Sequence, residues 1–359
     1  MNDNIFHKNF KLNGKSFNSV QELLTFSEKL SPSFYEFFTD WFDTTLTINV
    51  QTSGSTDKPK SIALKKEQMI NSAVATGTFF DLSENTKALL CLSTDYIAGK
   101  MMLVRALTLG WHLDVVEVSS NPLQNIDKIY DFCAMVPMQV HHSLSDLHKI
   151  KKLIVGGGAV DNTLLMKLQK LPTEIFATYG MTETITHIAV KRLNKLSLRG
   201  DTTKQSVYRT LPNVKISTDS RGCLVIDAPK ISDKKIITND LVEIKSNTEF
   251  KWLGRADNVI NSGGIKLIPE RIEEKLSKII DQRFFVAGIP DDILGEKLIL
   301  IIESKKLSIT SSEVEESISR LTELNKYEIP KEIYFIEKFV ETETKKIQRQ
   351  KTLDLIFKN

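Results

Sequence analysis

Leu153-Ile154-Val155-Gly156-Gly157-Gly158-Ala159 and, further on, Ile175-Phe176-Ala177-Thr178-Tyr179-Gly180 are apolar runs that each close on glycine. Short unbroken apolar runs read as buried strands, because a strand covered on both faces has no polar side to alternate with. Between them, residues 162–171 follow helical spacing. The same alternation runs upstream, with strands at 88–92, 113–118 and 132–136 and helices at 67–80 and 100–109. Strand and helix in turn predict a doubly wound α/β layer with a mainly parallel sheet.

Residues 205–253 change character, to short strands broken by Asn, Asp, Gly and Pro, which predicts a small antiparallel, barrel-like β subdomain. A boundary falls at 254–258. Beyond it Pro269 opens a helix with Ile272, Leu276, Ile279 and Ile280 on one face, followed by strands at 284–289 and 298–303. A second helix is predicted from the capping pattern Ser312-x-x-Glu315, burying Val314, Ile318 and Leu321, before a last strand at 333–336. The expected division is a large domain, 1–254, and a small mobile α+β lid, 255–359. The aromatics of the first 45 residues, Phe34, Tyr35, Phe37, Phe38, Trp41 and Phe42 among them, are spaced for helix packing.

A chain of 359 residues, 41% apolar and 26% charged, has the composition of a globular protein with a large core. No run approaches the ~18 to 20 apolar residues of a membrane span, and the N-terminus lacks an apolar signal region, so the cytoplasm is the expected compartment. A net charge of +3, spread along the chain, gives no footprint for nucleic acid. Cys91, Cys133 and Cys223 are odd in number, widely spaced and without a Cys-x-x-Cys pair, which argues against a disulfide framework and a zinc site. Oligomeric state is not readable from these features.

Three segments carry polar chemistry. Thr52-Ser53-Gly54-Ser55-Thr56-Asp57-Lys58-Pro59-Lys60 offers hydroxyl donors, backbone N–H groups and the Lys60 charge, a combination suited to a triphosphate. It lacks the second glycine before a lysine that a Walker A loop requires. Gly156 to Ala159 follows a strand, where ligand crevices of open α/β sheets lie, and small residues there let a flat base approach the backbone. Asp240, after Ile236-Ile237-Thr238-Asn239, is a carboxylate after a strand, by itself usually a turn residue.

Tyr179-Gly180-Met181-Thr182-Glu183-Thr184 follows the hydroxyl-rich loop and precedes Gly254-Arg255-Ala256-Asp257 and Phe339-Val340-Glu341-Thr342-Glu343-Thr344-Lys345-Lys346-Ile347-Gln348-Arg349. That order, over roughly residues 50–350, resembles the adenylate-forming (AMP-binding) superfamily of acyl-CoA ligases, firefly luciferases and peptide-synthetase adenylation domains. The resemblance implies an AMP-forming acid–thiol ligase using ATP, Mg2+ and CoA on a small-molecule carboxylate.

Carried onto this sequence, the resemblance assigns the ATP phosphates to Thr52, Ser53, Gly54, Ser55, Thr56 and Lys60. The adenine goes to Gly157, Gly158, Ala159, Tyr179, Gly180 and Met181, and the ribose to Asp240 and Arg255. Thr182 corresponds to the α-phosphate hydroxyl, Glu183 to the magnesium ligand, Lys346 to the catalytic lysine and Asp257 to the hinge. Ser262, Gly263 and Gly264 line the CoA channel. Asp57, Asn239 and Lys345 stand where the family has glycine, and Val340 where it has proline. Only the residues before Thr52 precede the phosphate loop, whereas the family carries a longer front.

Among the CoA ligases, the stretch from Tyr179 through Ile185-Thr186-His187 and the Ser-Gly-Gly loop resemble the o-succinylbenzoate–CoA ligases of menaquinone synthesis, in a compact form. A dicarboxylate needs a group for its free carboxylate, and Lys100, Arg105 and His187 are the candidates. Other aryl or medium-chain acids, a carrier-protein acceptor, or a degenerate nucleotide-binding protein remain open alternatives.

Overall fold

The computed structural model describes residues 6–51, 61–194, 207–304, 310–342 and 346–357. The phosphate loop, Thr52 to Lys60, and Lys345 lie outside the described residues.

Among the described residues, one sheet of twelve strands organises the first two thirds of the chain. Its parallel half comprises β1 (Lys11–Leu12), β4 (Lys87–Leu90), β5 (His112–Val115), β6 (Tyr130–Met135), β7 (Ile150–Val155) and β8 (Glu174–Gly180), in spatial order β1-β5-β4-β6-β7-β8. Every neighbouring pair in that half is parallel. The predicted strands and helices fall on these elements. β2 (Thr47–Gln51) and β3 (Ser61–Lys65) form a separate antiparallel hairpin.

Helices cover the parallel half. α1 (Val20–Glu28) and α2 (Pro32–Phe42) bring Leu23, Phe34, Phe37, Phe38 and Trp41 into the main core, so the N-terminal aromatics are packing residues as their spacing predicts. α3 (Lys66–Phe80) lies against α4 (Ile97–Leu109), whose consecutive residues Met101 to Leu107 are all buried. A helix apolar on every side belongs between layers rather than on a surface. α5 (Pro137–His142) and α6 (Asn162–Leu168) face a second core built on Leu89, Cys91, Cys133, Val140, Leu153, Leu164 and Ile175. Cys91 and Cys133 are buried free thiols, Sγ atoms 3.8 Å apart.

The sheet changes direction at β9 (His187–Arg192), which runs antiparallel to β8. It continues antiparallel through β10 (Tyr208–Thr210), β11 (Lys215–Thr218), β12 (Cys223–Asp227), β13 (Ile236–Ser246) and β14 (Glu249–Arg255), in spatial order β9-β10-β14-β13-β12-β11. The antiparallel half is therefore joined to the parallel half by one unbroken ladder. Gly180 sits at the junction: a Cβ there would lie 2.3 Å from Thr186 O, so only glycine lets β9 approach so closely.

A five-stranded sheet holds the rest: β15 (Ile260–Ser262), β16 (Ile265–Leu267), β17 (Phe284–Asp291), β18 (Gly295–Glu303) and β19 (Glu332–Ile336). α7 (Pro269–Leu276) buries Ile272 and Leu276 against it, with Ile280 in the same core, as predicted. α8 (Ser311–Ser319) buries Val314 and Ile318, but its cap lies two residues earlier than the expected Ser312–Glu315. Thr310 Oγ1 accepts the Glu313 N–H at 3.3 Å and Glu313 Oε2 accepts the Thr310 N–H at 2.8 Å. Both spacings fit a capping box; the chain reaches helical geometry first at Ser311, so the earlier pair closes. α9 (Arg349–Phe357) ends the described chain. No helix of the described residues is long and apolar enough to cross a membrane.

Candidate active site

Where β8 ends, the chain makes a 3-10 turn, Thr182–Thr184, before reversing into β9. Thr184 Oγ1 accepts the Met181 N–H at 2.9 Å and donates to Thr186 O at 2.7 Å, closing the turn from inside. Ile185 follows with φ 66° and ψ −59° and is 1% exposed. A β-branched residue in that region is strained, and the core contact of its side chain holds it there. The turn leaves Thr182 half-buried and Glu183 exposed at its apex.

Glu183 lines a depression of ≈ 280 Å³ shared with Ile62, Leu64 and Lys65 of β3, Gln68 of α3, and Ser232, Asp233 and Lys234, where Asp233 is already held by Lys65 at 2.6 Å and Gln68 at 2.9 Å. No ion pair engages Glu183 among the described residues, and no cluster of three metal-ligating side chains forms among them. A single free carboxylate fits magnesium, which commonly takes one or two protein oxygens and completes its shell with phosphate and water.

Gly157, Gly158 and Ala159 follow β7 as an exposed strip. Just beyond, Asn162 Nδ2 donates to Ser277 Oγ at 2.5 Å, tying the start of α6 to the end of α7. Across the ladder Tyr179, half-buried, packs edge-on to Phe250 and Tyr208. Burial and the Asp240 carboxylate hold the Tyr179 phenol well above its usual range, so it stays a proton donor.

Asp240 is 7% exposed and both its oxygens are engaged. Tyr179 Oη donates to Oδ2 at 2.6 Å, Trp252 Nε1 donates to Oδ1 at 3.0 Å, and Arg255 Nη1 lies 3.9 Å from Oδ1. The Asp240 backbone is held too: its N–H donates to Thr238 Oγ1 at 3.1 Å, while Arg221 bridges the corner, Nη1 to Asn239 Oδ1 at 3.0 Å and Nη2 to Thr238 O at 3.1 Å. The asparagine in place of the family's glycine thus supplies an acceptor that glycine lacks. Sequence reasoning missed Trp252 and Arg221.

Arg105 and His187 are both buried, close enough for the guanidinium charge to act on the imidazole. Arg105 is 1% exposed on α4, and His187 is buried at the start of β9. Among the described residues the guanidinium has no acidic partner; Nη1 reaches only Met102 Sδ at 3.7 Å, and Nε and Nη2 are buried without a hydrogen bond. Burial pushes Arg105 down to about 9, which still leaves it charged at neutral pH. Burial, then the Arg105 charge, pushes His187 well below its usual value, so it is neutral, with Nε2 unsatisfied. Lys100 is not in this group. It lies over the Phe37 ring, 5.6 Å from its centroid, facing Asp95, Asp40 and Glu36.

Arg255 Nη2 pairs with Asp257 Oδ2 at 2.5 Å in the turn where β14 ends. Gly263 and Gly264 form the exposed turn between β15, which ends at Ser262, and β16; Gly264, at φ 79°, has open space around it. Lys346 is exposed, and its backbone N–H donates to Thr342 Oγ1 at 3.1 Å.

The profile of the AMP-binding enzyme family matches residues 48–227, half of the chain, from β2 through β12. The chain belongs to the AMP-binding enzyme family. The crystal structure of an acyl-CoA synthetase (AMP-forming)/AMP-acid ligase II-like protein from Dyadobacter fermentans is 37% identical, covers 91% of this chain and 95% of that one, and superimposes with a TM-score of 0.59. A 2-succinylbenzoate–CoA ligase of Geobacillus sp. is 25% identical over 89% of this chain and 70% of its own length. The o-succinylbenzoate CoA synthetase of Bacillus subtilis, solved with its acyl-adenylate, shares the fold at a TM-score of 0.72 and 21% identity, over 84% of this chain and 68% of that one. This AMP-binding enzyme is thus an acyl-CoA ligase by class, on the α/β fold expected from its sequence.

Proposed function

We propose that the enzyme joins o-succinylbenzoate to CoA through an acyl-adenylate. A carboxylate oxygen attacks the α-phosphorus of ATP, pyrophosphate leaves, and the adenylate is held between Tyr179 and the Gly157–Ala159 strip. Proton transfer contributes little to such a step; fixed positive charge and hydroxyl donors meet the charge that builds on the phosphate oxygens. Lys60, Thr182 and Lys346 supply it. Glu183 would hold magnesium, which neutralises phosphate charge when bound. Residues 255–359 then turn about Asp257, withdrawing Lys346 and presenting Ser262-Gly263-Gly264 to CoA, whose sulfur attacks the acyl carbonyl and releases AMP.

One observation carries the choice of acid. Arg105 is a buried cation without an anion, a state that costs several kcal/mol unless a partner arrives. His187, which feels the Arg105 charge, is paired in the ladder with Gly180, two residues before Thr182. A substrate with a second carboxylate provides the missing anion, and neutral His187 offers one further hydrogen bond. The 2-succinylbenzoate–CoA ligases among its relatives point to the same dicarboxylate.

The test is direct. Incubated with ATP, magnesium, CoA and o-succinylbenzoate, the enzyme should release AMP and pyrophosphate and form the CoA thioester, while benzoate should support little turnover. Turnover of other acids with none of o-succinylbenzoate would overturn the substrate and leave the ligase class standing.

A further inference from the structure

We infer that Trp252 is a positioning residue for the nucleotide's ribose, setting the orientation of the Asp240 carboxylate; this rests on the reading of Asp240 as the ribose acceptor. Trp252 reaches that carboxylate only through an irregularity in the sheet. Asp240 pairs with Arg255, Leu241 with Gly254, and then Val242 with Trp252, so Leu253 is an extra residue on β14. In a regular ladder Trp252 would stand three residues from Arg255 and hence on the opposite face. The bulge restores it to the face of Val242 and Asp240, as bulges do when they re-aim a side chain.

The chemistry of the contact is selective. Indole N–H donates and never accepts, so it cannot take a hydroxyl proton that Asp240 should receive. With Trp252 on Oδ1 and Tyr179 on Oδ2, the carboxylate plane is fixed from both sides. Each oxygen keeps a further lone pair, one for each ribose hydroxyl.

Trp252→Phe keeps an aromatic ring and deletes the donor. Calorimetric titration with ATP, 2′-deoxy-ATP and 3′-deoxy-ATP, on protein whose fold is verified by circular dichroism, separates the outcomes. ATP should bind about 10-fold more weakly to the variant. One of the two deoxynucleotides should bind within about twofold of wild type, because the hydroxyl facing Oδ1 is already absent, and kcat at saturating ATP should also stay within about twofold. Trp252→His, which returns an N–H, should recover part of the loss. Equal weakening of all three nucleotides, or none, overturns the inference. Asp240→Asn separates the two levels. If it leaves ATP binding unchanged, the ribose assignment falls and the inference with it; if it weakens ATP while Trp252→Phe does not, the inference alone falls.

Discussion

Arg349 Nη2 lies 2.8 Å from Glu273 Oε2, anchoring the start of α9 to α7. Arg349 also donates to Val286 O at 3.3 Å, and its guanidinium stacks over Phe285. Lys346 therefore sits three residues from a fixed point, at the head of a packed helix rather than on a free basic end. Lys346→Ala is expected to lower adenylation by about 10² to 10³, measured as acid-dependent ATP–pyrophosphate exchange, while a supplied acyl-adenylate is still converted to thioester at near the wild-type rate. Lys345→Ala should leave both steps intact. Loss of exchange in Lys345→Ala with none in Lys346→Ala would shift the register by one.

Replacing Arg105 with methionine should divide stability from affinity. An apolar side chain of similar length removes an unpaired buried charge, so Tm should rise by roughly 2 °C or more. KM for o-succinylbenzoate should rise about 10- to 100-fold through the lost charged hydrogen bonds, with little change for a monocarboxylate such as benzoate. A fall in Tm together with an unchanged KM would show the guanidinium to be structural.

Glu183→Gln keeps shape and removes charge from the apex of the strained turn. Adenylation should drop by about 100-fold or more, most severely at limiting magnesium. Exchange that is unaltered across a magnesium titration would remove Glu183 from the metal's shell.

His187 carries a pH signature. Its folded value is depressed, so between that value and the ordinary ~6.5 the unfolded chain binds a proton that the folded chain does not. The stability contribution is complete above about 6.5 and declines as pH falls below it. His187→Gln should flatten the fall of Tm between about pH 6.5 and 5 relative to wild type. His112, also depressed by burial first, supplies the same slope in both proteins and cancels in the difference.

Much of this layout is local and therefore legible in the chain. Each parallel strand is an apolar run and each covering helix has its own period, so 88–92, 132–136 and 153–155 announced β4, β6 and β7 without knowledge of their neighbours. Met181 to Glu183 are contiguous, so one turn presents them together. The cap of α8 was misplaced because Thr310–Glu313 and Ser312–Glu315 satisfy the same spacing, and only the position where helical geometry begins separates them.

Strand and helix order, the family pattern and the residues of the Thr182–Glu183 turn are all written along the chain, because hydrophobic period and contiguous motifs act over a few residues. Tertiary structure alone decided which distant groups meet. Arg105 and Lys100 share one helix, yet only Arg105 is fully buried, with His187 within reach of its charge; nothing in α4's spacing marks the difference, since nearly every side of that helix is apolar. Trp252 reaches Asp240 because a single bulge reverses the alternation of β14, and alternation counted along the chain places that indole on the wrong face. Arg221, in the turn that leads into β12, reaches Asn239 on β13, a contact set by where the two strands pair and not by sequence distance.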